Sequence, residues 1–134
     1  MSAAKVFFDT NVLLYLLAAD AKADKAEALL ASGGIVSVQV LNEFASTAFR
    51  KLKLKWPEIR EILDGVRAVC NVVPVTLAIH EKGVAIAERY QVSFYDSLIL
   101  AAAQEAGCRT LYSEDMQHGQ AIQGVTVRNP FRAE

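Results

Sequence analysis

Short apolar runs alternate along this chain with longer stretches in which apolar residues recur at three- and four-residue intervals. Short runs rich in Val, Ile and Phe that are bounded by turn-forming residues are typical of buried β-strands. The pattern predicts five such strands, at residues 5–8, 35–37, 71–75, 109–113 and 125–127.

The segments between these strands have the spacing of amphipathic helices. The longest of them has an apolar face formed by Val38, Leu41, Ala45, Ala48 and Leu52. Pro57 suits the first turn of the helix that follows it. Further helices are predicted at residues 10–17, 21–31, 76–90 and 97–106.

Strands that alternate with helices predict a parallel sheet with helices on both faces. The expected fold class is therefore α/β, an α/β/α sandwich around a short, mostly parallel sheet of five strands. No linker, repeat or low-complexity tract divides the 134 residues, which predicts one domain over residues 1–134. Ligands of such sheets bind in the crevice at the carboxyl ends of the strands, so a site is expected there.

Three aspartates are expected at this edge of the sheet. Asp9 follows the first strand directly, Asp115 comes just after the fourth, and Asp96 lies at the start of a helix. Each also has an ordinary structural role to fill. Asp9 suits a helix N-cap, Asp96 the third residue of a capping box that begins at Ser93, and Asp115 a turn. Their shared position is what favours a functional interpretation.

Carboxylates gathered at one edge repel each other. Two of them ~5 Å apart repel by roughly 3 kcal/mol at an effective dielectric of ~20, so protons or a cation must relieve them. Hard divalent cations such as Mg²⁺ and Mn²⁺ prefer oxygen ligands, whereas zinc sites usually include His or Cys. The chemistry typical of an all-carboxylate site is metal-assisted attack of water on a phosphodiester.

Composition excludes some classes of protein. The longest apolar run, residues 12–19, is far shorter than the ~20 residues of a bilayer span, and no signal peptide is expected. Cys70 and Cys108 fit buried free thiols in a reducing cytoplasm, with one disulfide between them as the alternative. A net charge of −1 gives no general argument for nucleic acid. The local basic cluster, which is more often the solvated end of a helix, consists of Arg50, Lys51, Lys53 and Lys55.

Four segments resemble, in chain order, the acidic motifs of the PIN-domain family. They are "FFDTNVLLYLL", "VQVLNEF", "SFYDSLILAAAQEAG" and "LYSEDMQHG", and the resemblance covers almost the whole chain. It is closest to the ribonuclease toxins of VapBC-type toxin–antitoxin modules, and "GVTVRNPF" also resembles the tail of many bacterial members.

This resemblance implies a set of site residues. The acids implied to be catalytic and to bind the metal are Asp9, Glu43, Asp96 and Asp115. The groups implied to orient them are Thr10, Asn11 and Ser113. Glu43 rests on the resemblance alone, because helical periodicity places it on the polar side of its helix, as solvated surface.

The function implied by the resemblance is that of a Mg²⁺- or Mn²⁺-dependent endoribonuclease, the toxin of a toxin–antitoxin pair. Its expected partners are RNA, a cognate antitoxin protein and a second copy of the chain, with no membrane, in the cytoplasm. The basic cluster would hold the RNA backbone without reading its bases. Trp56 and Tyr95 could stack on bases, although packing is the usual role of such residues.

Three alternatives remain open. An aspartyl-phosphate phosphatase also has an Asp after its first strand, but it needs a second Asp two residues later, where this chain has Asn11. A phospho-receiver module needs a lysine near the end of the last strand, where this chain has Arg128. A catalytically silent PIN domain would bind RNA or protein without cutting, and a cleavage assay distinguishes it from the enzyme.

Overall fold

The structure, a computed structural model, describes residues 5–132. Its strands are β1 (Val6–Phe8), β2 (Gly34–Ser37), β3 (Cys70–Val73), β4 (Thr110–Tyr112), β5 (Ala121–Ile122) and β6 (Val125–Arg128). Its α-helices are α1 (Thr10–Leu14), α2 (Ala21–Ala31), α3 (Val38–Arg50), α4 (Trp56–Val69), α5 (Leu77–Arg89) and α6 (Phe94–Glu105). A 3₁₀ turn, Tyr15–Leu17, follows α1.

The strands form one sheet in the order β3-β2-β1-β4-β6-β5. All neighbours are parallel except β5 and β6. Phe7 and Phe8 in β1 are both fully buried. In β2, Val36 is fully buried and Ile35 nearly so. Because successive strand residues point to opposite faces, the sheet is covered on both sides, which confirms the α/β/α prediction.

The predicted number of strands was wrong by one. All five predicted strands are present, and β5 adds a sixth, which pairs antiparallel with β6. The two residues between them, Gln123 and Gly124, have φ of 49° and 86°. Positive φ at both central residues is typical of a type I′ hairpin turn. A strand of two residues has no detectable alternation, which is why the pattern missed it.

Two predicted helices have different bounds in the structure. The segment at residues 10–17 divides into α1 and the 3₁₀ turn, and α6 begins at Phe94, before the predicted residue 97. The earlier start of α6 follows from Ser93, whose side chain accepts a hydrogen bond from the Asp96 N–H at 3.2 Å. This cap places Asp96 in the first turn of the helix.

Close packing of β1 against β2 depends on a glycine. A Cβ atom on Gly34 would lie 2.4 Å from a ring carbon of Phe8 and 3.0 Å from the backbone oxygen of Val6. Since Phe8 is fully buried, its ring has little room to move. Gly34 therefore lets the central strands, which carry Asp9 at their carboxyl edge, pack around Phe8.

Two predictions from composition can be compared with the structure. Cys70 and Cys108 are buried free thiols, as expected. Within residues 5–132, no helix has the length and apolar character that crossing a membrane requires.

Candidate active site

A cavity of about 370 Å³ opens beside the carboxyl ends of β1 and β4. Its lining includes all four acids singled out from the sequence, each from a different segment. Asp9 follows β1, Glu43 lies in α3, Asp96 lies in the first turn of α6, and Asp115 follows β4. The expected meeting of these side chains at one edge of the sheet is thus observed.

Asp9 is the most buried of the four acids, with 6% of its surface exposed. Its carboxylate accepts hydrogen bonds from the Thr10 N–H at 2.7 Å and from the Ser113 hydroxyl at 2.8 Å. The first bond makes Asp9 the N-cap of α1. The Asp9 side chain therefore both caps α1 and lines the cavity.

Asn11 connects the acids that follow β1 and β4. Its Nδ2 lies 3.3 Å from an Asp9 carboxylate oxygen and 3.2 Å from an Asp115 carboxylate oxygen, within donating distance of both. Its Oδ1 accepts a hydrogen bond from the Glu114 N–H at 3.0 Å, which fixes the orientation of the amide. The amide thus supplies donors between two negative charges.

Ser113, which directly follows β4, is fully buried. Its hydroxyl donates to Asp9 and accepts the Met116 N–H at 3.3 Å. Because the backbone N–H is a donor only, the hydroxyl proton is directed toward the Asp9 carboxylate. Asn11 and Ser113 therefore lie where groups that orient the acids are expected.

Glu43 differs from the position that periodicity gave it. It is half-buried rather than solvated, and its Oε1 accepts a hydrogen bond from the Thr10 hydroxyl at 2.8 Å. The polar side of α3 lines the cavity, so its polar residues are not simply solvated surface. Ser46, Thr47 and Arg50, which sequence reasoning left out of the acid site, also line the cavity. Their signal was the helical spacing from Glu43, which puts them on its face of α3.

Burial and mutual repulsion raise the pKa values of two of the acids. Burial raises the pKa of Asp9 to about 6, opposed by the Ser113 hydroxyl and the Thr10 N–H, and the charges of Asp96 and Asp115 add to the rise. Burial also raises the pKa of Asp96, and a hydrogen bond with Ser93 opposes this rise. The charges of Asp115 and Glu43 raise the pKa of Asp96 further. Repulsion thus connects all four acids electrostatically.

A second cluster, absent from the sequence-based predictions, anchors the loop that carries Asp115. The Tyr15 hydroxyl donates to Glu114, and the Lys22 ammonium lies 3.3 Å from the other Glu114 carboxylate oxygen. The same ammonium lies 4.5 Å from the centre of the Tyr15 ring. The loop is therefore fixed to α2 and to the 3₁₀ turn.

The basic cluster is divided by the structure. Arg50 lines the acidic cavity and also a neighbouring cavity of about 660 Å³, to which Lys53 and Lys55 contribute. Lys51 is exposed and lines neither of the two. The four basic residues are therefore not equivalent, although no sequence pattern distinguishes one from another.

The donor set of the acidic cavity suits a hard divalent cation. Its acids offer carboxylate oxygens only, and their repulsion is the kind that a cation relieves. Among the residues that the structure describes, no three His, Cys, Asp or Glu side chains already converge as a metal-binding group. Mg²⁺ typically takes one or two carboxylates and keeps several waters, so such convergence is not required.

Comparisons with known proteins agree with this architecture. The family model described as "PIN domain" matches residues 6–121. No curated protein sequence matches the chain.

Toxins and toxin–antitoxin complexes are among the solved structures with the same fold. A toxin–antitoxin complex from Klebsiella pneumoniae has a chain 22% identical, with a TM-score of 0.73, covering 98% of this chain and 100% of that one. DNA-bound VapBC from Salmonella typhimurium is 16% identical, with a TM-score of 0.72 and coverage of 96% and 99%. VapC20 from Mycobacterium tuberculosis, a toxin that cleaves the sarcin–ricin loop, is 22% identical, with a TM-score of 0.64 and coverage of 83% and 90%. At these identities the likeness establishes a shared fold.

Proposed function

The chain belongs to the PIN-domain family, and we propose that it is a metal-dependent endoribonuclease that acts as the toxin of a toxin–antitoxin pair. The observation that carries the proposal is the acidic cavity, where carboxylates from four separate segments meet with oxygen-only chemistry. The toxins and toxin–antitoxin complexes among proteins of the same fold support the biological role.

The four acids share one role in this proposal. Asp9, Glu43, Asp96 and Asp115 would hold one or two Mg²⁺ or Mn²⁺ ions, with Asp9 and Asp115 tied by the Asn11 amide. A bound cation would supply Lewis acidity, which makes water a better nucleophile and neutralises charge on the phosphate. Thr10 and Ser113 keep the Glu43 and Asp9 carboxylates in fixed orientations through their hydroxyl groups.

The substrate is held beside these acids by the basic residues. Arg50 lies at the cavity and can contact a phosphate that the acids alone would repel. Lys53 and Lys55 continue the positive charge away from the cavity. Such contacts position the RNA backbone and carry no base preference of their own.

The proposed location of this activity is the cytoplasm, where the RNA substrate is present. The two buried free thiols agree with a reducing compartment. The proposed protein partner is a cognate antitoxin that covers the acidic cavity. An arginine of the antitoxin would suit this role, because its planar fork can bridge two carboxylates.

A homodimer is also part of the proposal. Large apolar side chains are exposed on α5 and at the start of α6, including Leu77 at 74%, Tyr95 at 63% and Val84 at 45%. Pairing of two copies would remove such a surface from water. Light scattering should give the mass of a dimer at micromolar concentration, and a monomer throughout that range would contradict this part.

The direct test of the activity is incubation of the purified protein with total RNA. We expect cleavage when Mg²⁺ or Mn²⁺ is added and none when a chelator is present in excess. The Asp96→Asn variant, matched in shape and lacking the charge, is the control for a contaminating nuclease. Equal cleavage by wild type and variant would mean that this cavity is not responsible, and absence of cleavage by both would favour a silent, RNA- or protein-binding PIN domain.

The biological role is tested by growth. Production of the wild-type protein in a bacterium from an inducible promoter should arrest growth, whereas Asp96→Asn at equal abundance should not. Co-production of the correct antitoxin should restore growth. Arrest by both forms, with protein levels matched by blotting, would show that the arrest is not ribonucleolytic.

A further inference from the structure

Two aromatic rings are stacked on each other at the surface, near the connection between α3 and α4. Phe49 lies in the last turn of α3 and Trp56 is the first residue of α4. Their ring centroids are 4.6 Å apart and their planes differ by 17°. Phe49 is nevertheless 45% exposed and Trp56 49% exposed. The pair keeps apolar ring surface in contact with water, which core packing does not explain.

The pair borders a cavity that differs in chemistry from the acidic one. This cavity of about 660 Å³ is lined by Phe49, Arg50, Lys53, Leu54, Lys55, Trp56 and Pro57. Three of the lining residues are cations and none is an acid. A flat aromatic surface within a basic rim is the combination with which proteins bind single-stranded nucleic acid, since bases stack on rings while cations contact phosphates.

Arg50 joins the two cavities. It lines the acidic cavity together with Glu43, Ser46 and Thr47, and it lines the aromatic cavity together with Phe49. An RNA strand bound along α3 can therefore contact both cavities, with Arg50 between them. The aromatic cavity lies beside the acids rather than at an unrelated surface.

We propose that the Phe49–Trp56 pair is a stacking site for one unpaired base of the RNA substrate. The inference rests on the proposed ribonuclease function and adds to it a binding site for an unpaired base next to the cleaved bond. Each ring of the pair has one face against its partner, so a base stacks on the outer face of one ring. Lys53 and Lys55 contact the phosphates that flank this base.

The charge of the rim is what favours RNA over an apolar segment of a protein partner. An apolar peptide would cover the two rings but would offer no negative charge to the three cations of the rim. RNA provides one phosphate for each base, so its bases can stack on the rings while its phosphates contact the cations of the rim.

Trp56 makes the site directly observable, because it is the only tryptophan in the sequence. The full-length protein is titrated with a single-stranded oligoribonucleotide of about ten nucleotides, a length within the usual range of such sites. A chelator is present, so that the RNA is not cut. We expect quenching of Trp56 fluorescence by the single strand and much weaker quenching by a blunt RNA duplex of equal length, whose bases are already stacked.

Variants separate stacking from charge. Phe49→Leu keeps an apolar side chain but removes the partner ring, and Trp56→Leu removes the ring itself. Because Trp56→Leu has no tryptophan to observe, binding by both variants is measured from the fluorescence anisotropy of an end-labelled oligoribonucleotide. We expect each to weaken this binding by roughly 5- to 150-fold, the usual effect of losing one stacking residue. Leu52→Ala is the matched control, since Leu52 is 46% exposed in the same segment and does not line the cavity. Equal melting temperatures would show that the variants are folded.

The outcomes distinguish this inference from the proposed function. Quenching by single-stranded RNA, with weaker binding by both aromatic variants, supports the stacking site even if no cleavage is found. Metal-dependent cleavage together with no quenching and unchanged binding by Phe49→Leu and Trp56→Leu would overturn it and leave the ribonuclease proposal intact. Quenching by the cognate antitoxin but not by RNA would also overturn it, in favour of a protein-docking site.

Discussion

The two cavities along α3 share a border residue, Arg50, and differ in nearly everything else. The acidic cavity is formed by side chains that are hydrogen-bonded to one another, with Asp9 and Ser113 buried. The aromatic cavity is formed by exposed rings and lysines from one continuous segment, residues 49–57. The first depends on the whole fold, whereas the second depends mainly on one turn between helices.

This difference suits the two tasks that the proposed function requires. Positioning a cation requires carboxylates whose orientation is fixed by their neighbours, and hydrogen bonds from Thr10, Asn11 and Ser113 supply that. Holding a long, flexible polymer requires contact area and charge, which exposed side chains provide. Changes in the acidic cavity should therefore affect the reaction rate, and changes in the aromatic cavity should affect RNA affinity.

The largest expected effect comes from the acids. Asp9→Asn, Asp96→Asn and Asp115→Asn should each abolish metal-dependent RNA cleavage, a loss larger than the roughly 10–100-fold typical of groups that only orient a ligand. Glu43→Gln should do the same. Cleavage of a fluorescent RNA under single-turnover conditions measures the effect. Asp64→Asn, which changes an exposed carboxylate in α4, is the control. A fully active variant would remove its residue from the site.

The second effect is on stability as a function of pH, in chelator. Because the pKa of Asp9 rises from 3.8 in the unfolded chain to about 6 in the folded one, folding favours its protonated form. The stability that this preference contributes is present below pH 4 and is lost as pH rises to 6. Its size is at most about 3 kcal/mol of unfolding free energy.

Thermal melts of wild type and Asp9→Asn between pH 4 and pH 7 measure this contribution. The difference between the two should shift in favour of the variant as pH rises. Because Asn also weakens the cap of α1, the pH dependence of the difference is informative and its value at one pH is not. A difference that is constant over the range would contradict the assigned pKa.

The third effect is on metal-induced stabilisation. Without metal, Asp96→Asn and Asp115→Asn should leave the melting temperature unchanged or raise it, since each removes one of the repelling charges. Mn²⁺ should stabilise the wild type by mass action, about 2.7 kcal/mol at a hundredfold excess over Kd, and should stabilise the variants less. Equal shifts by differential scanning fluorimetry would mean that the acids do not share a cation.

The smallest effect should come from single lysines of the aromatic cavity. Lys53 has φ of 59°, which glycine adopts without strain, so Lys53→Gly removes the charge while keeping the turn. We expect KM for RNA to rise a few-fold with kcat unchanged, and the salt dependence of binding to weaken by about 0.7 in log–log slope. Lys51→Gln, outside the cavity, should have a smaller effect. An equal effect of both would show that only total charge matters.

Much of the fold could be predicted because its signals are local. Apolar runs indicate strands, and Ser93 and the glycines mark where helices begin and end. The meeting of Asp9, Asp96 and Asp115 followed from parallel topology, since each lies at a strand end or helix start at the same edge.

The remaining features depend on contacts that sequence patterns do not record. Asn11 bonds to Asp115 across 104 positions, and nothing local marks either as a partner. Glu43 was assigned to solvent because periodicity shows which face is polar but not whether that face lies over a cavity. Only the resemblance placed it with the other acids. The stacked pair of Phe49 and Trp56 was equally invisible, since each ring alone suits ordinary packing.

The order of the strands has a consequence for the synthesis of this protein. β1 lies between β2 and β4, and the bond from Ser113 to Asp9 joins residues 104 positions apart. A chain emerging from the ribosome can pair β1 with β2 early, but one edge of β1 stays open until β4 has been made. For the proposed ribonuclease, the cation site is incomplete until Asp115 has emerged. Until then, the nascent chain of the proposed ribonuclease lacks one of the four acids that line the cavity.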